Sequence, residues 1–95
     1  MPPNISDSRL GVIFAGRVQG VGFRWWTRRQ ASALGLHGTV RNLPDGTVEI
    51  HVEGPGAAVT DFLAAVRQGP TGALVTRFRT VASEGELPQD FRVIG

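Results

Sequence analysis

Between Thr47 and Glu53 the chain alternates without a break: Val48, Ile50 and Val52 are apolar, and Thr47, Glu49, His51 and Glu53 are polar. Successive side chains of a strand point to opposite faces, so this segment belongs to a sheet that is buried on one side and wet on the other. The helices must then gather on the apolar side. Two segments supply them. From about Phe23 to Leu34, the residues Phe23, Thr27, Ala31 and Leu34 share one helical face, with Trp26 beside them, and Gly35 stops the run. After Gly54-Pro55-Gly56, the residues Val59, Phe62, Leu63 and Val66 form a helical stripe that Gly69-Pro70 ends.

The remaining strands are shorter signals. Arg9 to Ala15 is apolar on both faces through Val12, Ile13 and Phe14, as a central strand requires. Leu36 to Leu43 leads into Pro44-Asp45-Gly46, a turn in which proline presets φ and glycine supplies positive φ. A further strand falls within Ala73–Ala82, and Phe91 with Val93 marks a short edge strand. The order strand, helix, strand, strand, helix, strand predicts an α+β fold, the ferredoxin-like α/β sandwich (βαββαβ), with an antiparallel sheet and two helices on one face. At 95 residues, 41% of them hydrophobic, the chain holds one core. Residues 9–95 form that domain, and residues 1–8 read as a flexible N-terminal tail.

Composition narrows the chemistry. There is no cysteine, so disulfides, thiolate metal sites and cysteine nucleophiles are excluded. All ten basic residues are arginine, which excludes Schiff-base chemistry and the lysine of a Walker loop. The net charge of +2 is unevenly spread: residues 1–48 carry six Arg against two acids, and residues 49–95 carry four Arg against six acids. That asymmetry points to an anion site in the first half. No apolar run approaches the ~18 residues of a membrane span, and the start lacks the pattern of a signal peptide. A cytoplasmic monomer that engages no membrane is the expectation. His37 and His51 are not at metal-ligand spacing, and neither a metal nor a cofactor is expected. An RNA-binding sheet would show aromatic residues on its open face, where this chain shows Glu49 and Glu53, so no nucleic-acid partner is expected.

The most informative stretch is Gly16-Arg17-Val18-Gln19-Gly20-Val21-Gly22, a glycine-punctuated passage from strand to helix. Such a passage can turn several amide N–H groups toward one point, where the helix dipole also favours an anion. Arg24 in the first helical turn can add a bidentate guanidinium. Taken alone, the pattern fits an anion cradle or a plain turn equally well. It is not a dinucleotide fingerprint, because Trp25 stands where the third glycine belongs.

The longer string Gly16-Arg17-Val18-Gln19-Gly20-Val21-Gly22-Phe23-Arg24, with Gly38-Thr39-Val40-Arg41-Asn42-Leu43-Pro44-Asp45-Gly46-Thr47-Val48, closely resembles the two signature segments of the acylphosphatases. The resemblance implies metal-independent hydrolysis of the carboxyl–phosphate bond of small-molecule acyl phosphates, without a covalent intermediate. It puts the phosphate-binding arginine on Arg24 and the water-orienting asparagine on Asn42. It puts the phosphate cradle on the backbone of Gln19, Gly20, Val21, Gly22 and Phe23, and Thr47 beside Asn42 as its supporting partner. Inorganic phosphate or sulfate would bind the same loop as product-like ligands. The chain departs from many relatives at Thr39, where they carry tryptophan. The alternative is a noncatalytic acylphosphatase-like module that holds phosphate or carbamoyl phosphate without turning it over.

Overall fold

The computed structural model describes residues 7–95. Its elements run β1 (Asp7–Arg17), α1 (Phe23–Ala33), β2 (His37–Asn42), β3 (Val48–Pro55), α2 (Gly56–Gln68), β4 (Leu74–Val81) and β5 (Phe91–Val93). The sheet order is β4-β1-β3-β2-β5. β1 lies antiparallel to β3 and β4, and β2 antiparallel to β3. This is the ferredoxin-like sandwich that the element order predicts.

Two details differ from the expectation. β5 runs parallel to β2, so the sheet has five strands and is mixed. The chain leaves β4 at one edge and must reach the opposite edge through residues 82–90. Four strand spacings make roughly 19 Å, well within the ~30 Å that such a segment can span. The second difference is at the start. Asp7 and Ser8 pair with Pro55 and Gly54, so β1 begins ahead of Arg9 and takes in the end of the expected tail. The rest of that tail lies outside the described residues.

One face of the sheet and both helices enclose the core. Val12 and Phe14 of β1 and Val48, Ile50 and Val52 of β3 are fully buried against Phe23, Thr27 and Ala31 of α1 and Val59, Phe62 and Val66 of α2. Each large side chain there contributes about 1.5–3 kcal/mol through burial. Phe14 meets Phe23 at 6.4 Å between ring centroids, which ties the end of β1 to the start of α1. Phe62 meets Phe91 at 6.0 Å, which fastens the short β5 to α2.

The open face is an ordered polar surface. Arg41 Nε donates to Glu49 Oε1 at 2.6 Å, and His51 Nε2 lies 3.4 Å from Glu49 Oε2. His51 Nδ1 lies 2.7 Å from Ser83 Oγ, which also accepts from Arg9 Nε at 2.9 Å. Ser83 thereby pins the crossing segment to the sheet. Burial alone would raise the pKa of Glu49, but the hydrogen bonds from Arg41 and His51 outweigh it and hold the carboxyl below its ordinary 4.5. A carboxylate depressed in this way stabilises the fold above its unfolded pKa and loses that contribution as pH falls through the folded value. The melting temperature should therefore drop on acidification below about pH 4.5, and Glu49→Gln should flatten that part of the profile. Thermal melts of both proteins from neutral pH down to pH 3 check this. Profiles of identical shape would contradict it.

Candidate active site

At one end of the sheet, β1 hands the chain to the glycine-rich passage and then to α1. Val18 and Phe23 are buried on either side of it, so the passage is anchored at both ends and exposed between them. Gly20 and Gly22 have φ of 76° and 74°, a region that residues with a Cβ resist. A Cβ at either position would meet nothing within 4 Å, so conformation rather than crowding requires glycine, and the space above the backbone is open. Gly22 is the N-cap of α1 and brings no capping side chain. The first helical bond runs from Trp26 N to Gly22 O, at 3.0 Å, and leaves the earlier amides of the turn without intrahelical partners. The turn carries no acidic residue to oppose an anion at the positive end of the helix dipole.

Arg24 and Asn42 come together here from separate elements. Arg24 is the second residue of α1, held in place by the buried Phe23. Asn42 ends β2 opposite the buried Val48, on the face that Val40 also presents to the helices. The two meet on one atom. Gly95 O accepts from Arg24 Nη1 at 2.5 Å and from Asn42 N at 3.1 Å. Asn42 Oδ1 is buried and has no hydrogen-bond partner among the described residues. An unmet buried acceptor costs about 1–3 kcal/mol, so it marks a place where a donor belongs.

Gln19 reveals a contact that motif reading did not anticipate. Its Nε2 donates to Leu43 O and to Thr47 O, both at 2.9 Å. The side chain therefore clamps the glycine-rich passage to the β2–β3 turn, which fixes where Asn42 stands relative to the amides. Thr47 requires a correction. Its hydroxyl and its N–H both donate to Asp45 Oδ1, not to Asn42. The reason is local: an aspartate in a turn bonds readily to the residue two positions on. The same pair of bonds, the Thr47 hydroxyl first, holds the Asp45 carboxyl below its ordinary pKa. Thr47 supports the site through its carbonyl, by way of Gln19.

Other residues singled out by the sequence lie elsewhere. His37 pairs with Glu53 at 3.1 Å and His51 with Ser83, both on the open face. Trp25 is 53% exposed and Arg17 is exposed at the mouth of the passage. Arg28 is not a purely solvated residue, since its Nε donates to Phe91 O at 3.2 Å. Gly95 could not have been foreseen, because a main-chain oxygen carries no sequence signal. Gln19 could have been: a long amide donor in a glycine-rich passage can reach turn carbonyls, which have room for a second hydrogen bond. Among the described residues, no group of three or more His, Asp or Glu could hold a metal ion, and no helix is long and apolar enough to cross a membrane.

Comparison with known proteins shows the family. The family model described as Acylphosphatase matches residues 10–93. The acylphosphatase of Thermococcus kodakarensis is 51% identical over 80 residues, covering 84% of this chain and 88% of its own. That of Rhizobium etli is 46% identical over 90 residues, covering 94% and 96%. In three dimensions the chain resembles the crystal structure of acylphosphatase from Bacillus subtilis, with a TM-score of 0.85 and 36% identity over 92% of this chain and 98% of that one. With a family model matched over residues 10–93, a shared fold and similarity over most of its length, the chain belongs to the acylphosphatase family.

Proposed function

We propose that this chain hydrolyses acyl phosphates by direct in-line attack of water on a phosphoryl group held by Arg24 and the amides of residues 19–23. The acyl phosphate has a carboxylate leaving group, so the reaction needs no strong general acid. What it needs is a held phosphoryl group, neutralised charge and an aimed water. The amides and the helix dipole take the phosphoryl oxygens, and the Arg24 guanidinium offers a fork to two of them. Asn42 Oδ1 accepts a hydrogen bond from the attacking water. As the water oxygen bonds to phosphorus, the bond to the carboxyl oxygen breaks and its electron pair leaves with the carboxylate. The water's proton passes to a phosphoryl oxygen, giving carboxylate and inorganic phosphate. The observation that carries this reading is the buried, unpartnered Asn42 Oδ1 beside Arg24 at the open loop.

The test is turnover of benzoyl phosphate and acetyl phosphate, with p-nitrophenyl phosphate as the control. Both acyl phosphates should be cleaved, with and without EDTA. The monoester should be almost untouched, because an oxygen leaving group of that kind gains from protonation and no acid is placed to provide it. Inorganic phosphate should inhibit competitively and raise the melting temperature, by the equivalent of about 2.7 kcal/mol at a hundredfold excess over Kd. Phosphate binding without any turnover would support the noncatalytic module instead. Activity lost to EDTA and restored by a divalent metal would overturn the mechanism.

A further inference from the structure

On the open face of the sheet, beside the start of the glycine-rich passage, β1, β4 and the β2–β3 turn line a recess of about 140 Å³. Ile13 and Ala15 form its floor, Arg77 and Arg79 one wall, and Asp45 and Thr47 its end. The register explains the arrangement. Ala15 pairs with Arg77 and Ile13 with Arg79, so each guanidinium stem stands directly beside an apolar floor residue. Immediately after Ala15 the register slips by a bulge, and Gly16 pairs with Val75. A bulge of this kind bends its strand and re-aims the neighbouring side chains.

We infer that this recess is a binding site for a small carboxylate with a ring-sized apolar body. Three features select that class. The volume is close to the ~150 Å³ of a cavity that takes up benzene. The floor is apolar, and the small side chain of Ala15 gives it depth. Arg77 and Arg79 stand on the same face of β4, and neither guanidinium makes a hydrogen bond or close salt bridge among the described residues, the Asp45 carboxylate acting on Arg79 only through space. Two such guanidiniums over an apolar floor match a carboxylate carried on a ring, and an arginine fork binds that group bidentately.

Asp45 offsets part of this charge: its Oδ1 accepts from the Thr47 hydroxyl and N–H, and its carboxylate attracts Arg79, which leaves Arg77 as the guanidinium with no acid set against it among the described residues. Glu49, which pairs with Ile13 from the other side, is held by Arg41 and His51. The recess and the phosphoryl site lie on opposite sides of the sheet, since Asn42 faces the helices whereas Ile13 and Ala15 face the open side, and Thr47 is the residue they share, its carbonyl accepting from Gln19.

The experiment titrates benzoate into ¹⁵N-labelled protein that is saturated with inorganic phosphate, and follows the backbone amides. Millimolar benzoate should shift the amides of residues 13, 15 and 77–79. Acetate, which lacks the ring, and benzamide, which lacks the charge, should each bind about tenfold more weakly. Two variants test the site in different ways. Arg77→Gln with Arg79→Gln removes the charge, and Ala15→Leu fills the floor. Each should weaken benzoate by roughly tenfold while the phosphate Kd stays unchanged. Shifts confined to residues 19–24 would overturn the assignment, as would equal affinity for acetate or benzoate binding that both variants leave intact. None of these outcomes depends on whether the protein turns over acyl phosphates, so the two readings fail separately.

Discussion

Arg24→Ala is expected to lower kcat/KM for benzoyl phosphate by at least ~10²–10³, the loss seen when one preorganised donor to a developing negative charge is removed. The expected loss corresponds to about 3–4 kcal/mol of transition-state stabilisation. The placement of the guanidinium makes so large an effect reasonable. Phe23 is buried beside it in the chain, and Gly95 O takes one of its donors, which holds the guanidinium and leaves its other N–H groups without a partner among the described residues. Little of that orientation has to be created when the substrate arrives. The fold should scarcely notice the change, because Arg24 is partly exposed and its one side-chain hydrogen bond among the described residues goes to Gly95 O. Phosphate, however, should no longer raise the melting temperature appreciably. Arg24→Lys should recover little, since an ammonium offers a point charge instead of a planar fork. Undiminished phosphate protection in Arg24→Ala would show that the anion sits elsewhere.

The parts of the molecule that were legible in the sequence are those with periodicity or obligatory backbone geometry. Val48, Ile50 and Val52 announced both a strand and its buried face, and all three are fully buried. Phe23, Thr27 and Ala31 announced the core face of α1 in the same way. Gly20 and Gly22 marked the loop because only glycine adopts their φ without strain. β5 was legible only as a fragment. Three residues hold no alternation from which to read direction, and its parallel pairing follows from a crossing whose path depends on Ser83, His51 and Arg9. Thr47 misled because its bond to Asp45 is a competition between two close acceptors, settled by the turn. The charge asymmetry was informative only in part. Arg9 and Arg41 serve the open face and Arg28 holds β5, so half of the six arginines in the first half are structural.

Those structural duties also separate the two halves of the site. The amides and Arg24 belong to one continuous stretch of chain, and would survive changes in the β2–β3 turn that leave the helix in place. Asn42 belongs to β2, and is tied to that stretch only through the Gln19 clamp and the shared Gly95 oxygen. Binding of the phosphoryl group and orientation of the water can therefore be separated by substitution.

Asn42→Ala should expose that separation. If the side chain merely shaped the turn before Leu43-Pro44-Asp45-Gly46, its loss would lower stability and leave the activity of folded protein nearly intact. The contacts favour the other outcome. The turn is already held by Thr47 O accepting from Leu43 N at 2.9 Å, by the Asp45 bonds and by Gln19, none of which uses the Asn42 side chain. Asn42 contributes its main-chain N–H to Gly95, and alanine keeps that bond. The side-chain oxygen, by contrast, is buried without a partner, so removing it relieves an unmet acceptor and should leave stability unchanged or slightly raised. The loss should appear in kcat, by about 10²-fold or more, while phosphate affinity barely moves, because the missing interaction is made with the attacking water alone. Asn42→Asp should fail as well, since a carboxylate at this point repels the negatively charged phosphoryl group. Measuring kcat, phosphate Kd and melting temperature on the same preparations decides the matter. A folded Asn42→Ala protein with near-normal kcat would remove Asn42 from the mechanism and leave the loop and Arg24 to account for the reaction.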